Sequence, residues 1–178
     1  IGRAGAERLG QAGMRLALCG RSLDKLKQTE RAARAAGAAG VLLLPGDLTA
    51  PGYIGDCLEN VQRAFGELCV LVNNAGIAQS GPFEAIDEAL FDRVMALNVK
   101  APFFFCQKAL PLLMASGLGA IVNIGSVVSH KGYPLQGAYA ASKHALLGFS
   151  KTLANEYFEK NVRVHVICPG GVYTDMAK

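Results

Sequence analysis

The sequence predicts an α/β domain, with a doubly wound parallel sheet between two layers of helices, and three observations carry that expectation. Short apolar runs alternate with longer helix-patterned stretches along the whole 178-residue chain. The runs are apolar almost without a break, as in strands buried on both faces; half-exposed antiparallel strands would alternate. Each run then ends in a small or polar cluster, and open parallel sheets hold their ligands at those carboxyl ends. The length suits one core and is short for two, so residues 1–178 are expected to form a single domain.

Taken in order, residues 1–12 have helical composition but no cap, so the chain is expected to start inside an element. Met14 to Cys19 reads as a strand, and Ser22 caps a helix that carries Asp24 in its first turn and runs to about Ala36. Val41 to Leu44 is a second strand, closed by Pro45, Gly46 and Asp47, and a helix follows from about Pro51 to Phe65. Leu68 to Val72 is a third strand, running into Asn73, Asn74, Ala75 and Gly76. One long helix is expected from Asp87 to Met114, kinked or broken where Pro102 and Pro111 fall inside it. The apolar run from Gly119 to Ser126, a helix over 137–158 and a strand from Val162 to Cys168 complete the series.

Composition excludes several classes. The net charge of +4 comes from Lys and Arg scattered along helices, which argues against a nucleic-acid surface. Five cysteines stand apart with no ligand spacing, so neither a zinc site nor a disulfide framework is expected; they read as thiols of a reducing, cytoplasmic compartment. No metal is expected anywhere. The richest apolar stretch, Ala101 to Cys106, is broken at Gln107 and Lys108, and none is long enough for a membrane span.

The chemistry concentrates between Asn123 and Lys143. Tyr139 and Lys143 stand at i and i+4, which puts both on one face of a helix. A phenol with an ordinary pKa near ~10 is a poor proton relay at neutral pH. An ammonium about 5 Å away, at an effective dielectric of about 20, favours the phenolate by roughly 3 kcal/mol, or roughly two pKa units. Ser126, at the end of an apolar run, brings a hydroxyl to the same sheet edge. Taken alone, the Tyr/Lys pair also suits an interior Tyr beside a solvated Lys, and Ser126 suits a strand-end cap.

The remaining motifs decide between these readings. Asn-Asn-Ala-Gly at 73–76, Asn98 within Leu-Asn-Val, Ser126, Tyr-x-x-x-Lys at 139–143 and Pro-Gly-Gly-Val-Tyr-Thr at 169–174 occur together and in this order. In this the chain resembles the single-domain short-chain dehydrogenase/reductases, which are nicotinamide-dependent Rossmann oxidoreductases, over essentially its whole length. Within the family it is similar to the 3-oxoacyl-carrier-protein reductase and carbonyl reductase branches.

The resemblance implies a role for each residue. Tyr139 gives or takes the hydroxyl proton; Lys143 lowers its pKa and bonds the nicotinamide ribose. Ser126 hydrogen-bonds the substrate oxygen, and Asn98 helps hold a relay water, although it would also suit a residue that satisfies the backbone where a helix bends. Gly2 corresponds to the last glycine of the phosphate loop. Asp47 and Leu48 flank the adenine, with Asp47 also readable as a turn residue. Asn74, Ala75 and Gly76 lie under the adenosine ribose, while Pro169, Gly170, Val172 and Thr174 approach the nicotinamide and phosphates.

Arg21 selects the dinucleotide. Where an NAD-preferring relative carries an acid, this chain has Gly20 followed by Arg21, and a guanidinium grips a 2′-phosphate with two charge-assisted bonds. NADP(H) is therefore expected, with NAD(H) as the second choice; the competing reading is a solvated Arg beside a helix start. The expected substrate is a small ketone or secondary alcohol. His130 and Lys131 suit either a solvated loop or an anionic acyl-carrier partner, and the loop is preferred. Helices 87–114 and 137–158 match those that pair subunits in the family, so a homodimer or homotetramer is expected. Against the family pattern, the first strand, the substrate-covering lid and the last strand are expected to be absent. The rival reading is therefore a catalytically impaired member that serves only to bind or dimerise.

Overall fold

A computed structural model describes residues 1–172, and within it the chain divides into two compact units, Ile1–Glu67 and Leu68–Lys178. In the first unit, helix α1 (Gly2–Gln11) leads into strand β1 (Arg15–Gly20), helix α2 (Leu23–Ala36), strand β2 (Gly40–Pro45) and helix α3 (Tyr53–Phe65). In the second, strand β3 (Val70–Asn73) is followed by helices α4 (Glu88–Met95) and α5 (Ala101–Ala115), strand β4 (Gly119–Ile124), helix α6 (Gly137–Tyr157) and strand β5 (Val162–Ile167). Apart from the one long helix expected over 87–114, each strand and helix expected from the sequence is present to within a few residues.

In the first unit β1 and β2 pair in parallel, from Arg15 opposite Gly40 to Gly20 opposite Pro45. Ser22 caps α2, its hydroxyl accepting the Lys25 amide at 3.3 Å. The core is made by Ala6, Leu16 and Ala33, with Leu9, Leu18 and Val41 packed around it. Helices α1 and α2 touch closely because Gly10 has no side chain: a Cβ there would stand 2.7 Å from the Ala33 carbonyl oxygen. Helix α3 buries Ile54, Cys57, Leu58 and Val61, the one-face spacing of an amphipathic helix. Across from it, the Cys19 and Cys57 sulfurs lie 3.8 Å apart as free thiols.

In the second unit the order is β3-β4-β5, all parallel. Its core is built on Val94, Leu113, Ile121, Leu146 and Val162, each 2% exposed or less. A polar thread crosses this apolar interior. Asn73 Nδ2 donates to Asn123 Oδ1 on the neighbouring strand at 2.8 Å, and Asn123 Nδ2 donates to Ser150 Oγ on α6 at 2.8 Å. Ser150 in turn donates to the Leu146 carbonyl at 2.6 Å. Buried amides are costly unless bonded, so this thread fixes the β3/β4 register and seats α6 on the sheet.

The expected helix over 87–114 is not one regular helix, and its break is not at either proline. Asp87 caps α4 through the Leu90 amide at 2.7 Å. One π-helical turn, Ala96–Lys100, then separates α4 from α5. Pro102 sits in the first turn of α5, where its missing N–H is tolerated, and α5 continues through Pro111. The distortion therefore falls on the turn before Pro102, which has no N–H to offer the Asn98 carbonyl four residues back.

Candidate active site

Tyr139 and Lys143 occupy successive turns of α6, with the Lys143 nitrogen 5.7 Å from the centre of the Tyr139 ring. Lys143 is 6% exposed, and its ammonium donates to the Ile124 carbonyl at the end of β4 at 2.7 Å. Burial pushes its pKa down to about 8, partly opposed by the nearby Cys168 thiol. Gly76, ending the Asn-Asn-Ala-Gly turn after β3, is the third wall. A Cβ there would meet Asn98 Oδ1 at 3.1 Å and the Lys143 nitrogen at 3.8 Å. A side chain there would crowd Asn98 and touch the ammonium.

Ser126 is positioned by its own turn. It caps the short 3₁₀ segment Val127–Ser129, its hydroxyl accepting the Val128 amide at 3.2 Å while Ser129 Oγ accepts the Ser126 amide at 3.1 Å. The Val128 amide takes up one lone pair of the Ser126 hydroxyl, whose proton is a separate donor. Helix α6 packs along this segment, and Val127 donates to the Pro169 carbonyl at 2.9 Å, which holds the loop after β5 beside it. Gly170 and Val172 in that loop are exposed, as are Asn74 and Ala75 after β3. Thr174 lies outside the described residues.

Asn98 is 1% exposed within the π turn, and its whole side chain is engaged. Oδ1 accepts the Ile77 amide at 2.9 Å; Nδ2 donates to the Ile77 carbonyl at 2.9 Å and to Ser142 Oγ at 3.1 Å. Ser142 passes the link on to the Tyr139 carbonyl at 2.7 Å. The backbone-satisfying role weighed for Asn98 from the sequence is thus what its amide does.

The sequence reading passed over Gln79. It is 5% exposed and accepts the Ala138 amide, immediately before Tyr139, at 3.1 Å. Nothing local marks it, because its partner is 59 residues away.

In the first unit Gly2 opens α1. Arg21 is exposed just beyond β1. Asp47, just after β2, accepts the Thr49 amide at 2.8 Å and the Thr49 hydroxyl at 2.7 Å. These bonds hold its carboxyl below the ordinary range, with a smaller contribution from the Arg21 charge. The turn-forming role weighed for Asp47 is therefore present, and Leu48 beside it is half-buried. Among the described residues no cluster of His, Cys, Asp and Glu stands ready for a metal, and no helix is long and apolar enough to cross a membrane.

Comparison with known proteins supplies the family. A sequence model described as short chain dehydrogenase matches residues 1–178. The chain is 36% identical over 180 residues to a 3-oxoacyl-[acyl-carrier-protein] reductase of Bos taurus, covering 100% of this chain and 73% of that protein. Among solved structures it is similar to a metagenomic short-chain oxidoreductase in complex with NADP (TM-score 0.90, 34% identity, 99% of this chain and 81% of that one). It is also similar to NAD+-bound xylitol dehydrogenase (TM-score 0.90, 30% identity, 95% and 65%). A match over every residue, on an α/β fold that carries the Tyr139–Lys143 pair, establishes that this chain belongs to the short-chain dehydrogenase family of oxidoreductases acting on alcohol and carbonyl groups.

Proposed function

We propose that the chain is an NADP(H)-preferring reductase, reversibly a dehydrogenase, of small ketones and secondary alcohols, with 3-oxoacyl thioesters among its candidate substrates. One observation carries this reading: a nearly buried Lys143 ammonium held beside Tyr139 and the side-chain-free Gly76. A buried cation is expensive, and chains keep one where it has work to do.

The residues present fit a nicotinamide dinucleotide. Lys143 has three N–H donors, of which the Ile124 carbonyl takes one, leaving donors for ribose hydroxyls in the space Gly76 keeps open. Gly2, Arg21, Asp47 and Leu48 of the first unit recognise the adenosine phosphate end. Asn74, Ala75 and Gly76 lie under the adenosine ribose, and Pro169, Gly170, Val172 and Thr174 approach the nicotinamide and phosphates. When bound, the nicotinamide supplies the hydride. Tyr139 gives its phenolic proton to the substrate oxygen, and Lys143 steadies the phenolate left behind. Ser126 donates a hydrogen bond to the same oxygen as charge develops on it. Asn98 helps hold a water that restores the proton through Lys143.

The protein works in a reducing, cytoplasmic setting, in keeping with its five dispersed cysteines. It assembles as a homodimer or homotetramer through α4, α5 and α6: Phe91, Phe103 and Phe104 are about two-fifths exposed there, and Phe103 stacks edge-on against Phe104 and Phe149. Residues 1–178 act as one functional domain.

The test is turnover of a ketone panel with NADPH and NADH in parallel, in the wild type and in Arg21→Ala. Faster, tighter use of NADPH is expected, and Arg21→Ala should weaken NADPH binding by about 10- to 100-fold with little effect on NADH. Equal losses for both nucleotides would remove Arg21 from phosphate recognition. Nucleotide binding without any turnover would favour the rival reading, an impaired member that only binds or dimerises.

A further inference from the structure

We propose that Gln79 is a positioning residue that sets the place of the Tyr139 phenol by clamping the first turn of α6; this rests on the function proposed above. Helix α6 begins without a local cap, since Gln136 at its N-cap position makes no capping bond. The orphan amide of Ala138 is satisfied instead by Gln79 Oε1 at 3.1 Å, from across the unit. The other end of the same amide group, Nε2, donates to the Leu135 carbonyl at 3.2 Å and, more weakly, to the Gly81 carbonyl at 3.4 Å. The Gly81 amide gives that Leu135 carbonyl a second bond at 2.9 Å.

Leu135 needs such a hold. It has a positive φ of 65°, a left-handed conformation unfavourable for a non-glycine residue, and it is 54% exposed, so packing does little to retain it. One buried side chain thus fixes both the loop that enters α6 and the helix's first turn. Tyr139 is then gripped from two sides. The residue before it is held by Gln79, and its own carbonyl is held by Ser142, itself bonded to Asn98. Gln79 and Asn98 bracket the segment between β3 and α5, so that segment acts as a two-point brace for the proton donor. A buried Gln in which both amide atoms are bonded is there for those bonds; a Met of similar length would fill the volume without them. Proton transfer is sensitive to placement, and an error of about 1 Å can cost about 100-fold in rate.

The experiment compares Gln79→Met and Gln79→Glu with the wild type in ketone turnover, NADPH binding and amide hydrogen exchange along α6. Gln79→Met is expected to lower kcat by about 10- to 100-fold, to leave NADPH affinity within about two-fold, and to speed exchange at Ala138 while residues from Leu146 onward stay protected. Gln79→Glu keeps an acceptor for Ala138 but no donor for Leu135. It should keep Ala138 protected and recover more of kcat than Met does. Unchanged kcat or unchanged Ala138 exchange in the Met variant would overturn the proposal. So would exchange that rises equally along all of α6, or a Glu variant no better than Met. If the wild type reduced no ketone with either nucleotide, the reading of function would fall, and Ala138 exchange would still decide whether Gln79 is the clamp.

Discussion

Tyr139→Phe is expected to lower kcat for ketone reduction by about 1,000-fold, within the ~10²–10⁴-fold range of a positioned general acid, and to leave NADPH affinity nearly unchanged. The substitution removes one oxygen and little else. The ring remains under the Lys143 ammonium, 5.7 Å from its centre, and the Ser142 bond to the residue-139 carbonyl is a backbone contact that Phe retains. Fold and cofactor binding should therefore survive, and the loss should appear in kcat. Ser126→Ala is the informative partner, since Ser126 supplies a hydrogen bond to the substrate oxygen and Tyr139 supplies the proton. Single-turnover measurement at saturating NADPH checks the assignment, and full reduction by the Phe variant would remove Tyr139 from the proton path.

Why these residues were legible in the sequence, and others were not, has a physical basis. Strand and helix periods are local, so the alternation of elements could be read directly, as could the Ser22 cap and the i, i+4 spacing of Tyr139 and Lys143. The site residues were legible because several motifs agreed in order along the chain. What escaped depends on long-range contact. Asn73, Asn123 and Ser150 look like unrelated polar residues until strand pairing sets the first two side by side and α6 brings the third against them. Gln79 is invisible for the same reason. The break in the long helix was misplaced because a proline's effect was assigned to its own position. Near the start of a helix the ring fits, and the missing donor is felt one turn earlier, at the turn that holds Asn98.

The same buried Lys143 leads to an effect of comparable size on stability. An ordinary lysine holds its proton to about pH 10.4, whereas in the folded protein burial brings this group to about 8. Between those values the unfolded chain binds more protons than the folded one, so Lys143 makes stability rise with pH across that window. The whole rise amounts to about 3 kcal/mol, little screened because the residue is 6% exposed. Below pH 8 the charged form is retained at that cost. Lys143→Met should therefore make the ligand-free protein more stable at pH 7, less what the lost bond to the Ile124 carbonyl contributed, while abolishing turnover. Cys57, lowered to about 7, and Cys106, raised to about 11, also bend the pH profile, but they are common to both proteins and cancel in the difference. Urea unfolding of the two proteins from pH 7 to 10.5 would show their stabilities converging as pH rises. Parallel curves would mean that folded and unfolded chains bind the Lys143 proton equally tightly, and burial would then not be what weighs on this ammonium.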